Sequence, residues 1–266
     1  MRLHSSSEAK WDAPVPLPPF FPFLFLTIFF RHCASGDGHK SWSIMTPICR
    51  VPGCGAEAAS RYSHYCRNHR ARLRRHGAVD QEGVTATDLA PYLAKVRARI
   101  EKNRESSAWG QLQGRWLAVV DHARSVVAFF NNGKPGSSFE RKAAHEVLKI
   151  ADAAKPHEVV EVVLAMFIMQ EQEPRRFRSD AAFRVQLVRR TRALADVNAG
   201  LSYDHKSGKV RRVYRELSPK VIAIIGQWLA VALGGAGVHL AQLEQKEEEG
   251  QRKEHLELHK ALEELK

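Results

Sequence analysis

A mostly α-helical protein, with a small metal-stapled N-terminal module ahead of an all-α domain that carries one short β-hairpin, is what this sequence predicts. Three observations lead there. Three of the four cysteines crowd with a histidine between residues 49 and 69. Apolar residues recur at helical spacing over most of the chain beyond residue 84. One stretch, around Ser207 and Gly208, alternates as paired strands do about a turn.

The composition sets bounds on function. With 266 residues, 44% of them hydrophobic, the chain can bury a core. Lys and Arg number 41 against 29 Asp and Glu, a formal charge of +12. That surplus favours polyanions, nucleic acid first and anionic membrane second. Four cysteines are too few for a disulfide-built scaffold. Three of them beside a histidine fit metal ligation in a reducing compartment, so a cytoplasmic location is expected.

Residues 1–44 form a separate Pro- and Phe-rich segment. Its apolar run, FFPFLFLTIFF at residues 20–30, falls short of the ~20 residues a span needs and is interrupted by Pro22. As a secretory leader it has an apolar core, but RHC stands where small cleavage-site residues belong. Two readings stay open: a targeting or anchoring segment, or a translation start that truly lies at Met45, just ahead of Cys49.

The module at residues 45–77 carries the pattern Cys49-x4-Cys54-x11-Cys66-x2-His69. Structural zinc takes four thiolate or imidazole ligands in a tetrahedron, commonly two from each of two short turns. Pro52, Gly53 and Gly55 suit a tight turn for Cys49 and Cys54. A spacing of three puts Cys66 and His69 on one face of a helix's first turn. His64 competes with His69 from a poorer position, two residues before Cys66. Arg67, Arg70, Arg72, Arg74 and Arg75 follow at once and, on a helix, point around most of the cylinder. Such a helix is expected to stay a solvated basic projection held at one end by the metal. Its arginines would neutralise phosphates; the bland alternative is a charged stretch that keeps the knuckle soluble.

Together with YCRNHRARLRRHG, this pattern resembles the small zinc-binding element that precedes or accompanies many phage and bacterial HNH-type homing endonucleases. The resemblance covers residues 49–77. It implies Cys49, Cys54, Cys66 and His69 as zinc ligands, with Arg70, Arg72, Arg74 and Arg75 facing phosphate. It also implies a phage or mobile-element protein that grips nucleic acid rather than cutting it. The catalytic half does not carry over. Asp204-His205, in YDHKSGK, is followed by no Asn and His at workable distances and reads as a solvated turn. No nucleophile, base and oxyanion donors converge elsewhere, so no catalytic residue is assigned.

The helical domain is placed at residues 84–241, after a linker reading GAVDQEG. Leu89, Leu93, Val96 and Ile100 mark its first helix, with Pro91 expected in the first turn. Trp109, Leu112, Trp116, Val119, Val120, Ala123, Val127 and Phe130 form one stripe, ended by NNGKPGSS. On that face the tryptophans are core rather than base-stacking platforms. Ser137 and Glu140 suggest a capping box for a helix carrying Ala144, Val147, Leu148 and Ile150. After Pro156, VVEVVLAMFIM is apolar almost all round and predicts the central helix, its methionines filling gaps. Seven arginines then surround a helix starting near Ser179, with Phe183, Leu187, Val188, Thr191 and Leu194 inward. The hairpin follows, bearing Lys206, Lys209, Arg211, Arg212 and Arg215. A basic helix and a basic hairpin suit a winged DNA-binding fold, or equally an exposed edge guarded by charge. On the first view the arginines from Arg175 onward, with Lys209, Arg211 and Arg212, also contact nucleic acid.

Residues 221–241 hold no charged side chain and are long enough to cross a membrane. Gln227, His239 and the cluster Gly234, Gly235 and Gly237 instead divide them into a buried helix, a turn and a second helix. Residues 242–266 read as a charged, frayed helical tail whose Leu256, Leu258, Leu262 and Leu265 offer a short self-association stripe. The expected function is zinc and nucleic-acid binding, DNA foremost, without a catalytic centre. The alternative is a membrane-associated protein anchored by residues 20–30, residues 221–241 or both, its basic surfaces on anionic lipid.

Overall fold

The computed structural model describes residues 47–195, 198–205, 207–214 and 216–264. Residues 1–46, including the apolar run and Met45, lie outside the described residues, as do Lys206, Arg215, Leu265 and the side chains of Arg211 and Arg212. The elements are α1 Arg67–His76, α2 Ala86–Lys102, α3 Ser107–Asn131, α4 Ser138–Ala153, α5 Pro156–Gln172 and α6 Asp180–Arg192. Then come β1 Asn198–Asp204, β2 Lys209–Tyr214, α7 Pro219–Leu229, a π-helical turn Ala230–Gly234 and α8 Gly235–Glu264. The predicted class, mostly α with one antiparallel hairpin, is the class observed.

Hydrophobic pattern decides which helix sits where. Helix α5 buries ten consecutive-to-nearby side chains from Val159 to Met169, so it can face neighbours on every side. It packs against α2, α3, α6 and α8. The flanking helices bury one stripe each: Leu89, Tyr92 and Val96 on α2, and Trp116, Val119, Val120 and Ala123 on α3. Trp109 is half-buried, and its indole N–H donates to the Asn103 carbonyl at 3.0 Å. Both tryptophans are therefore structural.

Two helix starts differ from expectation. Helix α2 begins a turn earlier than its apolar spacing suggests, because Thr85 and Asp88 form a reciprocal capping box. Pro91 consequently falls in the second turn, inside the helix, where it forfeits one backbone bond. Ser137 does occupy the N-cap of α4, but its hydroxyl makes no capping bond, so the expected box with Glu140 does not form.

The stretch read as a linker is a packed strap. Gln81 is buried; its amide donates to the carbonyls of Glu82 at 2.8 Å and Arg176 at 3.1 Å, and its oxygen accepts from the Arg178 N–H at 3.1 Å. The Val84 N–H donates to the buried Gln186 side chain of α6 at 3.0 Å.

The glycine cluster does not break the last helix. Pro219–Glu264 runs as one 46-residue helix through the π turn. The glycines serve packing instead: a Cβ on Gly237 would lie 2.6 Å from Phe167 Cβ, so its absence lets α8 approach α5. By length and composition this helix could cross a membrane; 44% of its most apolar window is buried inside the fold. Its near charged part is clamped rather than frayed. Arg99 pairs with Glu244 at 2.6 Å and Glu247 at 2.5 Å, and Lys95 pairs with Glu248 at 2.6 Å. Beyond Gly250 the described side chains, Leu256, Leu258 and Leu262 among them, are exposed.

Candidate metal centre

The loop ahead of α1 is shaped by its own backbone. An isolated bridge pairs Ile48 with Glu57, and the Cys49 N–H donates to the Ala56 carbonyl at 2.8 Å. Gly53 and Gly55 take φ of 75° and 58°, the left-handed region that side chains avoid, and so turn the chain between Cys54 and its partners. On the far side, Cys66 is the N-cap of α1, and its sulfur accepts the His69 N–H at 3.5 Å. Cap and third helical residue thus share one face.

These turns bring four donor atoms together. His69 Nδ1 lies 3.4 Å from Cys49 Sγ and 3.3 Å from Cys66 Sγ, and the Cys54 and Cys66 sulfurs lie 3.9 Å apart. All four ligand atoms fall within 4.8 Å of one another. Ordinary zinc bond lengths imply tetrahedron edges of roughly 3.5–3.8 Å, close to these three separations. Cys49 and Cys66 are buried, Cys54 and His69 half-buried. The cluster can hold one metal ion. His64 does not belong to it; its carbonyl instead accepts the Arg50 N–H at 3.0 Å.

The electrostatics favour a thiolate here. Burial opposes ionisation of Cys49, but backbone hydrogen bonds from Cys66 and Val51, with His69 and Cys54 beside it, bring its thiol down to about 6. For Cys54 a backbone hydrogen bond from Ala56 favours the thiolate. Burial and the neighbouring Cys49 and Cys66 sulfurs outweigh that bond and push its pKa up. A divalent cation would relieve that competition by accepting all three sulfurs as thiolates.

The arginines are only partly as expected. Helix α1 has no buried residue, and Arg67, Arg70 and Arg72 are exposed with no carboxylate paired to them among the described residues. Yet α1 is not a free projection. Its last carbonyls, which lack partners within the helix, are satisfied by α6: Arg189 Nη1 donates to the Arg75 carbonyl at 2.9 Å and Gln186 Nε2 to the His76 carbonyl at 3.3 Å. Arg75 and Arg74 pair with Glu216 at 2.7 and 3.7 Å. Burial, then Arg189, Arg72 and Arg75, lower the pKa of His76, which suits it to accept at Nδ1. The basic segment from Arg175 is likewise used internally in part: Arg176 pairs with Asp88, Arg178 with Asp80, and Arg192 with the buried Glu146. Lys209 lies exposed at the start of β2, on a different element from α1.

Gln186, Arg189 and Glu216 were not singled out individually from sequence; Arg189 entered only among the arginines from Arg175 onward. Nothing marks the first two within an arginine-rich helix; Glu216 is a lone acid after a basic run, a signal visible only afterwards. Fold and site together define a helical protein with a Cys3His group able to hold a metal ion. Compared with known protein families, curated proteins and solved structures, the chain gives no match.

Proposed function

We propose that this chain is a zinc-binding protein that grips nucleic acid, DNA foremost, through α1, and that it carries no catalytic centre of its own. The observation that carries the reading is the juxtaposition at Cys66, which is at once a ligand of the Cys3His cluster and the N-cap of an arginine-rich helix. Three sulfurs and one imidazole nitrogen form a donor set that suits zinc and excludes magnesium or calcium, which prefer oxygen. Bound zinc would hold the loop and fix the first turn of α1; it supplies charge and rigidity, not reaction chemistry. Arg67, Arg70 and Arg72 then present guanidinium groups free to meet phosphates. Residues 49–77 resemble the zinc element that accompanies HNH-type endonucleases, which supports a phage or mobile-element setting. The chain is expected to work in a reducing compartment, where the thiols survive.

The experiment is zinc content by mass spectrometry together with binding of labelled duplex DNA and RNA across a salt series. One zinc per chain and a log–log salt slope of about −2 to −3 are expected for three phosphate contacts. Metal-free protein with unchanged DNA affinity sinks the reading.

One observation favours a second reading. The helix Pro219–Glu264 is apolar enough for a bilayer, and Val231 is 74% exposed. A membrane-associated protein would sediment with anionic vesicles and ignore DNA.

A further inference from the structure

Where α1 ends against α6, positive charge outnumbers its partners. Arg74 and Arg75 converge on the single carboxylate of Glu216, and Arg189 reaches the same end of the helix to cap the Arg75 carbonyl. No described carboxylate pairs with Arg189 directly. Its guanidinium lies among the atoms of the helix terminus, and burial, then Arg190 and Arg75, hold it below its ordinary basicity while Glu216 offsets them. Two guanidinium groups thus share one anion, with that of Arg189 at the same helix end. The anion's hold is weak: both sides of the Arg75–Glu216 pair are more than two-fifths exposed, and solvent and salt screen such a pair. Glu216 also comes from outside both helices, two residues beyond the end of β2, so it can leave without unravelling either.

We infer that this junction is a phosphate-binding site for a nucleic-acid backbone, formed by Arg74, Arg75 and Arg189, whose anion position Glu216 fills in the free protein. The inference rests on the nucleic-acid reading above and extends its contact surface from the exposed face of α1 onto α6. A phosphodiester carries one negative charge, as the carboxylate does. Its two non-bridging oxygens meet arginine forks as the two carboxylate oxygens do, so exchange keeps the pair of contacts. Because Glu216 sits at the foot of the hairpin, the exchange also frees the hairpin's exit from α1.

The test uses the full chain, its zinc content checked, and a fluorescein-labelled duplex DNA titrated over a salt series. Glu216→Gln keeps the side chain's shape and removes its charge. It is expected to tighten binding about three- to tenfold and to steepen the salt slope by about one. Glu216→Asp, which keeps the charge, should behave as the unaltered chain. Arg75→Gln combined with Glu216→Gln should cancel the gain. If Glu216→Gln leaves affinity and slope unchanged while Arg70→Gln still weakens binding, Glu216 is only a clamp on the hairpin and the site is overturned alone. If the unaltered chain does not bind the duplex, the nucleic-acid reading falls and the site with it.

Discussion

Cys66 shows how much one side chain can be asked to do. It caps α1, lies within ligand distance of His69 and sits opposite Cys54. Replacing it removes a cap and a member of the Cys3His cluster together. Cys66→Ala is therefore expected to abolish the zinc binding proposed above and to cost on the order of 1 kcal/mol through the cap alone. Zinc content measured beside the melting curve checks both. His64→Ala, outside the cluster, should keep the metal. This site was legible in the sequence because its geometry is local: ligand spacing, turn glycines and a helix start all fall within residues 49–69. Asp88 was not legible, since its pattern, Thr85 and Asp88 astride a helix start, hid behind the stronger apolar spacing. Its carboxylate accepts the Thr85 N–H at 3.0 Å and pairs with Arg176 at 2.9 Å. The Thr85 backbone bond first, then its hydroxyl and Arg176, hold the carboxyl below 3.8 against the effect of burial. A lowered folded-state pKa gives stability that is present above the unfolded value and lost as pH falls through the folded one. Asp88→Asn should thus melt lower than the parent at pH 7, and the gap should close below pH about 4.

At the scale of elements, the sequence separates what periodicity can tell from what it cannot. Helices α3 to α6 are recovered with most of their inward apolar residues, because each apolar stripe is a statement about its own helix. The glycine cluster at residues 234–237 misleads, because whether a glycine breaks a helix or lets two helices touch depends on the partner, Phe167, which lies in another element. A paired experiment separates the two roles. Alanine is the better helix former by roughly 0.8–1 kcal/mol. At Gly235, where an added Cβ meets nothing within 4 Å, Gly235→Ala should stabilise by about that amount. At Gly237 the same methyl meets Phe167 at 2.6 Å, and Gly237→Ala should instead destabilise by about 1–3 kcal/mol. If both substitutions stabilised, the glycines would be mere flexibility and α8 would not need its close approach to α5.

On the scale of the whole molecule, the Cys3His module and the helical body are joined through α1 rather than through a tether. The N-terminal end of α1 belongs to the Cys3His cluster, whereas its C-terminal carbonyls are capped from α6. The strap behind it is fastened by Gln81 to the segment before α6, a bond pattern between distant residues that no local reading of GAVDQEG exposes. This double attachment predicts what metal removal does. Chelation should loosen the loop ahead of α1 while leaving the core built around α5 intact, since none of its buried side chains comes from residues before Val84. Far-UV helicity should fall by no more than the contribution of α1, and the main melting transition should barely move. Trypsin should gain cuts at Arg50, Arg61 and Arg67 but none at Arg176 or Arg178, whose strap contacts persist. Chelation that collapsed the entire melting transition would mean that the metal organises the helical body itself, and that the attachment of α1 to α6 is a consequence of metal binding rather than an independent anchor.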